Sequence, residues 1–127
     1  KEKQLEKKNV AVAIIKKGNK VFIQKRPSKG LLADLWEFPG GQREKGENIK
    51  QALCRELREE LNVNVVRAKL FVRVKHFYTK FSVDLSAFYC NVTPLPKEDR
   101  VHKWVSLSSL QKYPVPSGTA RIIAKLS

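Results

Sequence analysis

The chain has 127 residues, 42% of them hydrophobic, so it can build the core of one domain and is not expected to be disordered. Its 26 lysine and arginine residues exceed its 12 aspartate and glutamate residues, which gives a net charge of +14. That charge favours phosphate-rich partners such as DNA, RNA or nucleotides, and a merely soluble basic surface is the alternative. No apolar run approaches the roughly 20 residues of a membrane span, and residues 1–9 are too polar for a secretory signal. We therefore expect no membrane partner and no secretion, with a location in the cytoplasm or wherever the genome is.

Domain organisation follows from composition along the chain. Residues 1–8 form a charge run and are expected to be a linker or arm, and residues 9–127 a single domain. The chain contains no methionine, so we expect a processed product or a piece of a longer protein. Cys54 and Cys90 form neither a disulfide framework nor a zinc pattern. Both are expected to pack in the core of a protein from a reducing compartment.

Hydrophobic periodicity predicts the elements in chain order. They are a buried strand at residues 9–15, a second strand at 21–25 that completes a hairpin, an apolar segment at 31–38 that ends at a glycine pair, and a helix at 48–61. Two long strands at 63–75 and 81–92 follow, then a short strand at 101–105, a helical turn at 106–112 and a last helix at 120–126. Strands and helices mix without a regular βαβ rhythm. The pattern favours an α+β fold with a mixed sheet.

Three glutamates in the predicted helix carry the strongest chemical signal. Glu56 and Glu60 are four residues apart, and Glu59 lies three after Glu56, so all three project to neighbouring positions of one helix face. Carboxylates crowded in this way suit a hard divalent cation such as Mg²⁺, which can activate water at a pyrophosphate. The alternative is a solvated helix face, in which Arg55 and Glu59 form an i,i+4 ion pair.

The segment before this helix offers further candidate contacts. Glu47 is a candidate partner for Arg55, which follows it by two helical turns. Gly40 and Gly41 let the backbone approach a ligand closely, and a glycine carbonyl there could supply another oxygen to a metal.

The full spacing from Gly41 to Val63 resembles the Nudix box, G-x5-E-x7-R-E-U-x-E-E-x-G-U, in which U is a bulky aliphatic residue. Every fixed position matches except the last glycine, which is Asn62 here. Asparagine is common at left-handed helix C-caps, so this departure is mild. The resemblance implies the Nudix fold, a mixed sheet sandwiched between helices. It also implies hydrolysis of a nucleoside diphosphate linked to another group.

Site roles follow from the resemblance residue by residue. It implies that Glu56, Glu59 and Glu60 bind Mg²⁺ or Mn²⁺ and that one of them, or a metal-bound water, acts as the base. In MutT-type members a carbonyl at the position of Gly40 is a further ligand, and Glu98 resembles an outlying glutamate of that branch. Glu47 and Arg55 would form a structural pair.

The flanking segments resemble the C-terminal domain of MutY-type adenine DNA glycosylases. The stretch KRP at residues 25–27 is followed by GLLADLWEFPGG at 30–41, where Asp34 replaces a glycine of the typical pattern. After the box that family has H-x-F-S-H-F, with a loop over 8-oxoguanine, and this chain has HFYTKF at 76–81. Compared with the F-S-H of that motif, Tyr78 keeps an aromatic face, Thr79 keeps a hydroxyl and Lys80 keeps a positive charge. His76 could equally be an ordinary strand residue.

The first interpretation is therefore a domain that recognises 8-oxoguanine opposite adenine in DNA. Its implied partners are DNA containing 8-oxoguanine and an N-terminal glycosylase domain. A possible iron–sulfur cluster would lie only in that absent domain. Because all three box glutamates are present, Mg²⁺-dependent nucleotide hydrolysis by this domain is also possible.

Two alternatives remain open. One is a MutT-like enzyme that hydrolyses 8-oxo-dGTP or another purine nucleoside triphosphate; MutT has an asparagine where this chain has Thr119. The other is a non-catalytic nucleotide-binding or protein-interaction module. Phe38 fits either a core position or ligand stacking. The candidate nucleotide- or DNA-binding residues are Arg26, Phe38, His76, Tyr78, Thr79, Lys80 and Thr119.

Overall fold

The computed structural model of the protein describes residues 6–126. Its elements are β1 Glu6–Lys17, β2 Lys20–Lys25, β3 Trp36–Glu37, β4 Gly40–Gln42, α1 Ile49–Leu61, β5 Asn64–Phe77, β6 Phe81–Thr93, β7 His102–Ser106, α2 Leu107–Leu110 and α3 Ser117–Leu126. Among these residues, no helix is long and apolar enough to cross a membrane.

Strand β1 organises a mixed sheet. It runs parallel to β6 and antiparallel to β2 and β4, while β5 pairs antiparallel with β6. Strands β3 and β7 both pair with β2. β1 is buried on both faces because its run of Ala, Val and Ile from Ala11 to Ile15 suits a strand covered on both sides. The predicted α+β architecture with a mixed sheet is confirmed.

Helices cover the two faces of the sheet and form two hydrophobic cores. Leu53 and Leu57 of α1 pack with Ala11 and Ala13, which alternate along β1. On the opposite face, Ile122 of α3 belongs to the core that contains Val12, Leu85 and Leu110. The sheet is therefore sandwiched between α1 on one side and α2 and α3 on the other.

Several element boundaries differ from the sequence prediction. β1 begins at Glu6 because the backbone of Glu6–Lys8 pairs with Phe81–Val83 of β6, a long-range pairing that outweighs the charged composition. The remainder of the predicted arm, residues 1–5, lies outside the described residues. The glycine pair belongs to β4, which pairs with Val10–Val12. α3 begins at Ser117, three residues earlier than predicted.

The two cysteines have different environments. Cys90 is buried, as predicted, and desolvation raises the pKa of its thiol to about 12. The prediction for Cys54 is wrong, because this residue is exposed on α1. It lies next to the apolar stripe of the helix but outside the surface that packs on the sheet.

Candidate active site

Helix α1 is fixed at both ends, and this sets the direction of its glutamates. The Asn48 side chain accepts from Gln51 N, and the Gln51 side chain accepts from Asn48 N, both at 2.8 Å, which forms a capping box. At the other end, Asn62 adopts a left-handed conformation with φ 54° and ψ 42°. Its N–H bonds back to the carbonyl oxygens of the last helical turn.

Arg55 links this helix to the loop that precedes it. Its Nε donates to Glu47 Oε2 at 2.6 Å, and its Nη2 donates to Glu47 Oε1 at 3.1 Å and to the Gln42 carbonyl at 3.0 Å. The bond from Arg55, followed by one from the Glu44 backbone, lowers the pKa of Glu47. The fork of guanidinium bonds holds the chain after β4 against the helix.

The three box glutamates have different neighbours. Glu56 lies 3.3 Å from Arg55 Nη1, and its carboxylate packs so closely on Gly41 that a Cβ there would displace the Glu56 side chain. Glu59 is turned to Arg55, with Nη1 and Oε1 3.2 Å apart, and its side chain is 61% exposed. Glu60 receives a 3.5 Å hydrogen bond from Gln24 Nε2 of β2.

Glu56 and Glu60 form a crowded pair of carboxyl groups. Although Glu60 is exposed as a residue, desolvation of its carboxyl group is the main cause that raises its pKa to about 6. The charge of Glu56 is the next cause, and Glu37 adds to it. Within residues 6–126, no three His, Cys, Asp or Glu side chains are already arranged as a metal cage. The structure thus brings Glu56 and Glu60 together and leaves Glu59 on Arg55.

Glu98 has a separate contact. Its Oε2 accepts a 2.9 Å hydrogen bond from the N–H of Trp104 and so fixes the loop before β7. In the described part of the chain, no hydrogen bond or ion pair joins it to α1.

Gly40 and Gly41 connect the helix to a cleft of about 230 Å³. Phe38, which is 2% exposed, and strand residues of β1 and β6 contribute apolar surface to this cleft. At its edge, Arg26 Nη1 bonds to Glu37 Oε1 at 3.0 Å, and the same guanidinium donates to the Leu31 carbonyl. The Arg26 guanidinium is therefore held at the cleft by the Glu37 carboxylate.

An aromatic group forms another part of the cleft. The ring centroids of His76 and Tyr78 lie 4.7 Å apart edge to face, and those of Tyr78 and Phe81 lie 4.7 Å apart in a stacked arrangement. Burial raises the pKa of the Tyr78 phenol, and a hydrogen bond with the Gly118 backbone opposes that rise. Thr119 is 7% exposed and also lines the cleft.

Not all predicted binding residues line this cleft. Arg26, Phe38, Gly40, His76, Tyr78 and Thr119 do, whereas Thr79 and Lys80 are exposed at the hairpin turn outside its lining. Sequence reasoning missed Lys8, whose ammonium lies 4.7 Å from the centroid of the Phe81 ring, and Glu37. Continuing the β1 alternation backwards from Val12 and Val10 would have pointed to Lys8.

A family profile described as "NUDIX domain" matches residues 10–125, which is most of the chain. The chain belongs to the Nudix family. The Nudix box, from Gly41 to Val63, is thus the segment that contains the paired carboxylates and the Arg55–Glu47 ion pair.

Two curated relatives match over nearly their whole length. The 8-oxo-dGTP diphosphatase of Buchnera aphidicola subsp. Schizaphis graminum is 35% identical over 123 residues, covering 93% of this chain and 92% of that protein. The 8-oxo-dGTP diphosphatase of Escherichia coli K12 is 32% identical over 126 residues, covering 96% and 98%. A solved MutT Nudix hydrolase from Burkholderia pseudomallei shares the fold, with a TM-score of 0.83, 23% identity and coverage of 96% and 99%.

The MutY-type interpretation is not confirmed by these comparisons. The C-terminal domain of mouse MUTYH, solved in complex with human PCNA, shares the fold with a TM-score of 0.74. At 20% identity, with 94% of this chain and 86% of that chain covered, this likeness shows the Nudix fold alone. The curated relatives support the MutT-like alternative better than the glycosylase interpretation.

Proposed function

We propose that the protein is a MutT-like pyrophosphohydrolase that converts 8-oxo-dGTP to the monophosphate and pyrophosphate. The observation that carries the proposal is the position of the Glu56–Glu60 pair. Glu56 packs on Gly41, and Gly41 itself lines the cleft, so the carboxylates lie next to a space that can hold a nucleotide. The full-length similarity to 8-oxo-dGTP diphosphatases supports the choice of substrate.

The donor set fits a hard divalent cation. Carboxylate and carbonyl oxygens are the ligands that Mg²⁺ and Mn²⁺ prefer, and the crowding of Glu56 and Glu60 is what a cation would relieve. Glu56 and Glu60 would hold it, with Glu59 after release from Arg55 and with the Gly40 carbonyl as further donors. When bound, such an ion activates water and neutralises charge that develops on the pyrophosphate.

Other residues of the cleft can bind the base and the phosphates of the nucleotide. The stacked rings of Tyr78 and Phe81 offer an aromatic surface to a purine, while the buried Thr119 hydroxyl can hydrogen-bond its edge. Arg26 and Lys8 supply positive charge for the phosphates on the same cleft. The bonds from Arg55 to Glu47 and to the Gln42 carbonyl hold β4, which carries the glycine pair, and the loop after it against the helix.

Pyrophosphate release from 8-oxo-dGTP in the presence of Mg²⁺ tests the proposal. Replacing either carboxylate in Glu56→Gln or Glu60→Gln should lower kcat by about a hundredfold or more, because a charged ligand and its electrostatic contribution are lost. Glu6→Gln is the matched control, since it removes an exposed carboxylate at the start of β1. Retained turnover in both box variants, with the fold intact, would show that these carboxylates are not the catalytic groups.

A second candidate function is recognition of 8-oxoguanine in DNA by the same cleft. It is favoured by one observation: the Thr79–Lys80 turn is exposed beside the cleft in a chain of net charge +14, where it could contact a phosphate backbone. Fluorescence anisotropy with a duplex containing 8-oxoguanine opposite adenine tests it. Affinity equal to that for an undamaged duplex would leave only non-specific attraction.

A further inference from the structure

A second cavity, of about 310 Å³, lies on the opposite face of the sheet from the cleft. Side chains alternate between the two faces of a strand. Val12 and Leu85 line the cleft, whereas Asn9 and Ser86, which lie an odd number of residues away on β1 and β6, line the second cavity. The first turn of α1 closes one side of it through Ile49. The two spaces are therefore separated by the sheet.

Polar groups without partners face this second cavity. Ser86 is 5% exposed as a residue, and its hydroxyl, which forms no hydrogen bond within residues 6–126, is accessible from the cavity. Arg73 is opposite Ser86 in the β5–β6 register, and its guanidinium forms no ion pair or hydrogen bond to any described residue. The Ser86 hydroxyl is reached from the cavity, and Arg73 is exposed at its wall, so both groups are free to bind a ligand there.

The position of a second guanidinium group is fixed beside them. The backbone N–H of Arg43 donates to the Asn9 carbonyl at 2.7 Å, and its Nη1 donates to the Glu47 carbonyl at 3.0 Å. Of the nearby acids, Glu47 is engaged by Arg55, and Asp84 lies 3.7 Å from the Lys75 ammonium. The cavity therefore has a surplus of positive charge on its wall.

We propose that this second cavity binds a phosphate group. Guanidinium groups bind phosphate oxygens in a bidentate manner, and Arg73 and Arg43 supply two of them. The Asn9 carboxamide and the Ser86 hydroxyl add neutral donors. Leu70 lines the same cavity and is 46% exposed, so it offers apolar surface to the body of a phosphate ester. This site is independent of the proposed hydrolysis in the cleft.

Amide NMR titration of the metal-free protein at constant ionic strength tests this site. The probes are inorganic phosphate, a nucleoside monophosphate and the unphosphorylated nucleoside. Both phosphate probes should shift the amides of Asn9, Arg73 and Ser86 in a saturable way, and the nucleoside should not. Tighter binding of the monophosphate assigns the site to an ester, and equal affinity assigns it to free phosphate. Shifts confined to the cleft, or no shifts, would overturn the proposal.

A pair of variants separates a specific site from general charge attraction. Arg73→Gln should weaken phosphate binding by about tenfold or more, since a charged hydrogen bond is lost. Lys69→Gln is the matched control, because Lys69 is an exposed cation of the same strand that pairs with Tyr89 on the other face of the sheet. If both substitutions weaken phosphate binding equally, the affinity depends only on the net charge of the protein, which contradicts the proposal.

Discussion

At the residue scale, two adjacent glycines have different tasks. Gly40 has φ +152°, and a Cβ on it would collide with the carbonyl of Ala11 in the neighbouring strand. Gly41 has no such backbone restriction, but a Cβ on it would collide with the carboxylate of Glu56. The first glycine is therefore needed for the fold and the second for the position of a catalytic candidate.

Alanine substitutions should separate these two tasks. Gly40→Ala should lower the free energy of unfolding by about 2 kcal/mol or more, because strained backbone and a backbone collision add. Gly41→Ala should displace the Glu56 carboxylate, and a misplacement of about 1 Å can lower turnover roughly a hundredfold. Denaturant unfolding and pyrophosphate release measure the two effects. An active Gly41→Ala variant would refute the assigned position of Glu56.

Thiol reactivity gives a second test at this scale. Burial raises the pKa of the Cys90 thiol from 9.0 to about 12, so the thiol is neutral at pH 8. The contribution of the neutral, buried thiol to the free energy of unfolding is lost only as the pH rises above 9 toward 12. Cys54 is exposed. We expect iodoacetamide at pH 8 to label Cys54 alone in the folded protein and both cysteines in denaturant, as read by mass spectrometry. Rapid labelling of native Cys90 would contradict its burial.

At the scale of elements, helix α1 was the most predictable part of the site. Its apolar stripe and the spacing of Glu47, Arg55 and the box glutamates are local patterns, so the sequence alone predicted both the helix and the Arg55–Glu47 partnership that the structure contains. The beginning of β1 was not predictable in this way. Its pairing with β6 joins segments about 75 residues apart. The composition of the segment does not indicate such a distant partner.

The C-cap of α1 makes a prediction of its own. Asn62 adopts φ 54°, where residues other than glycine are strained. Asn62→Ala should lower the free energy of unfolding by about 1 kcal/mol, and Asn62→Gly should keep or slightly raise it. Urea unfolding monitored by circular dichroism compares the two variants. Equal loss in both would mean that the Asn62 side chain, rather than its backbone conformation, stabilises this helix end.

At the scale of the whole molecule, the fold class was predictable because strands and helices have distinct periodicities. The site was predictable only in its motif. Glu37 joins the cleft through the tertiary packing of β3, which no local pattern indicates, whereas Lys8 follows from the alternation of β1 once that strand is known to extend to Glu6. The cleft also combines features that both nucleotide hydrolysis and base recognition in DNA can use. The flanking segments therefore suggested one branch of the Nudix family, while the full-length relatives favour the other.

A competition assay decides between hydrolysis of 8-oxo-dGTP and recognition of 8-oxoguanine in DNA. The protein is incubated with Mg²⁺ and equal amounts of 8-oxo-dGTP and dGTP, and the nucleotides and pyrophosphate are followed by chromatography. We predict that 8-oxo-dGTP is consumed first, with one pyrophosphate formed for each monophosphate. If the folded protein consumes neither nucleotide yet binds a duplex with 8-oxoguanine opposite adenine in preference to an undamaged one, the proposed hydrolase is contradicted and the DNA-recognition function takes its place.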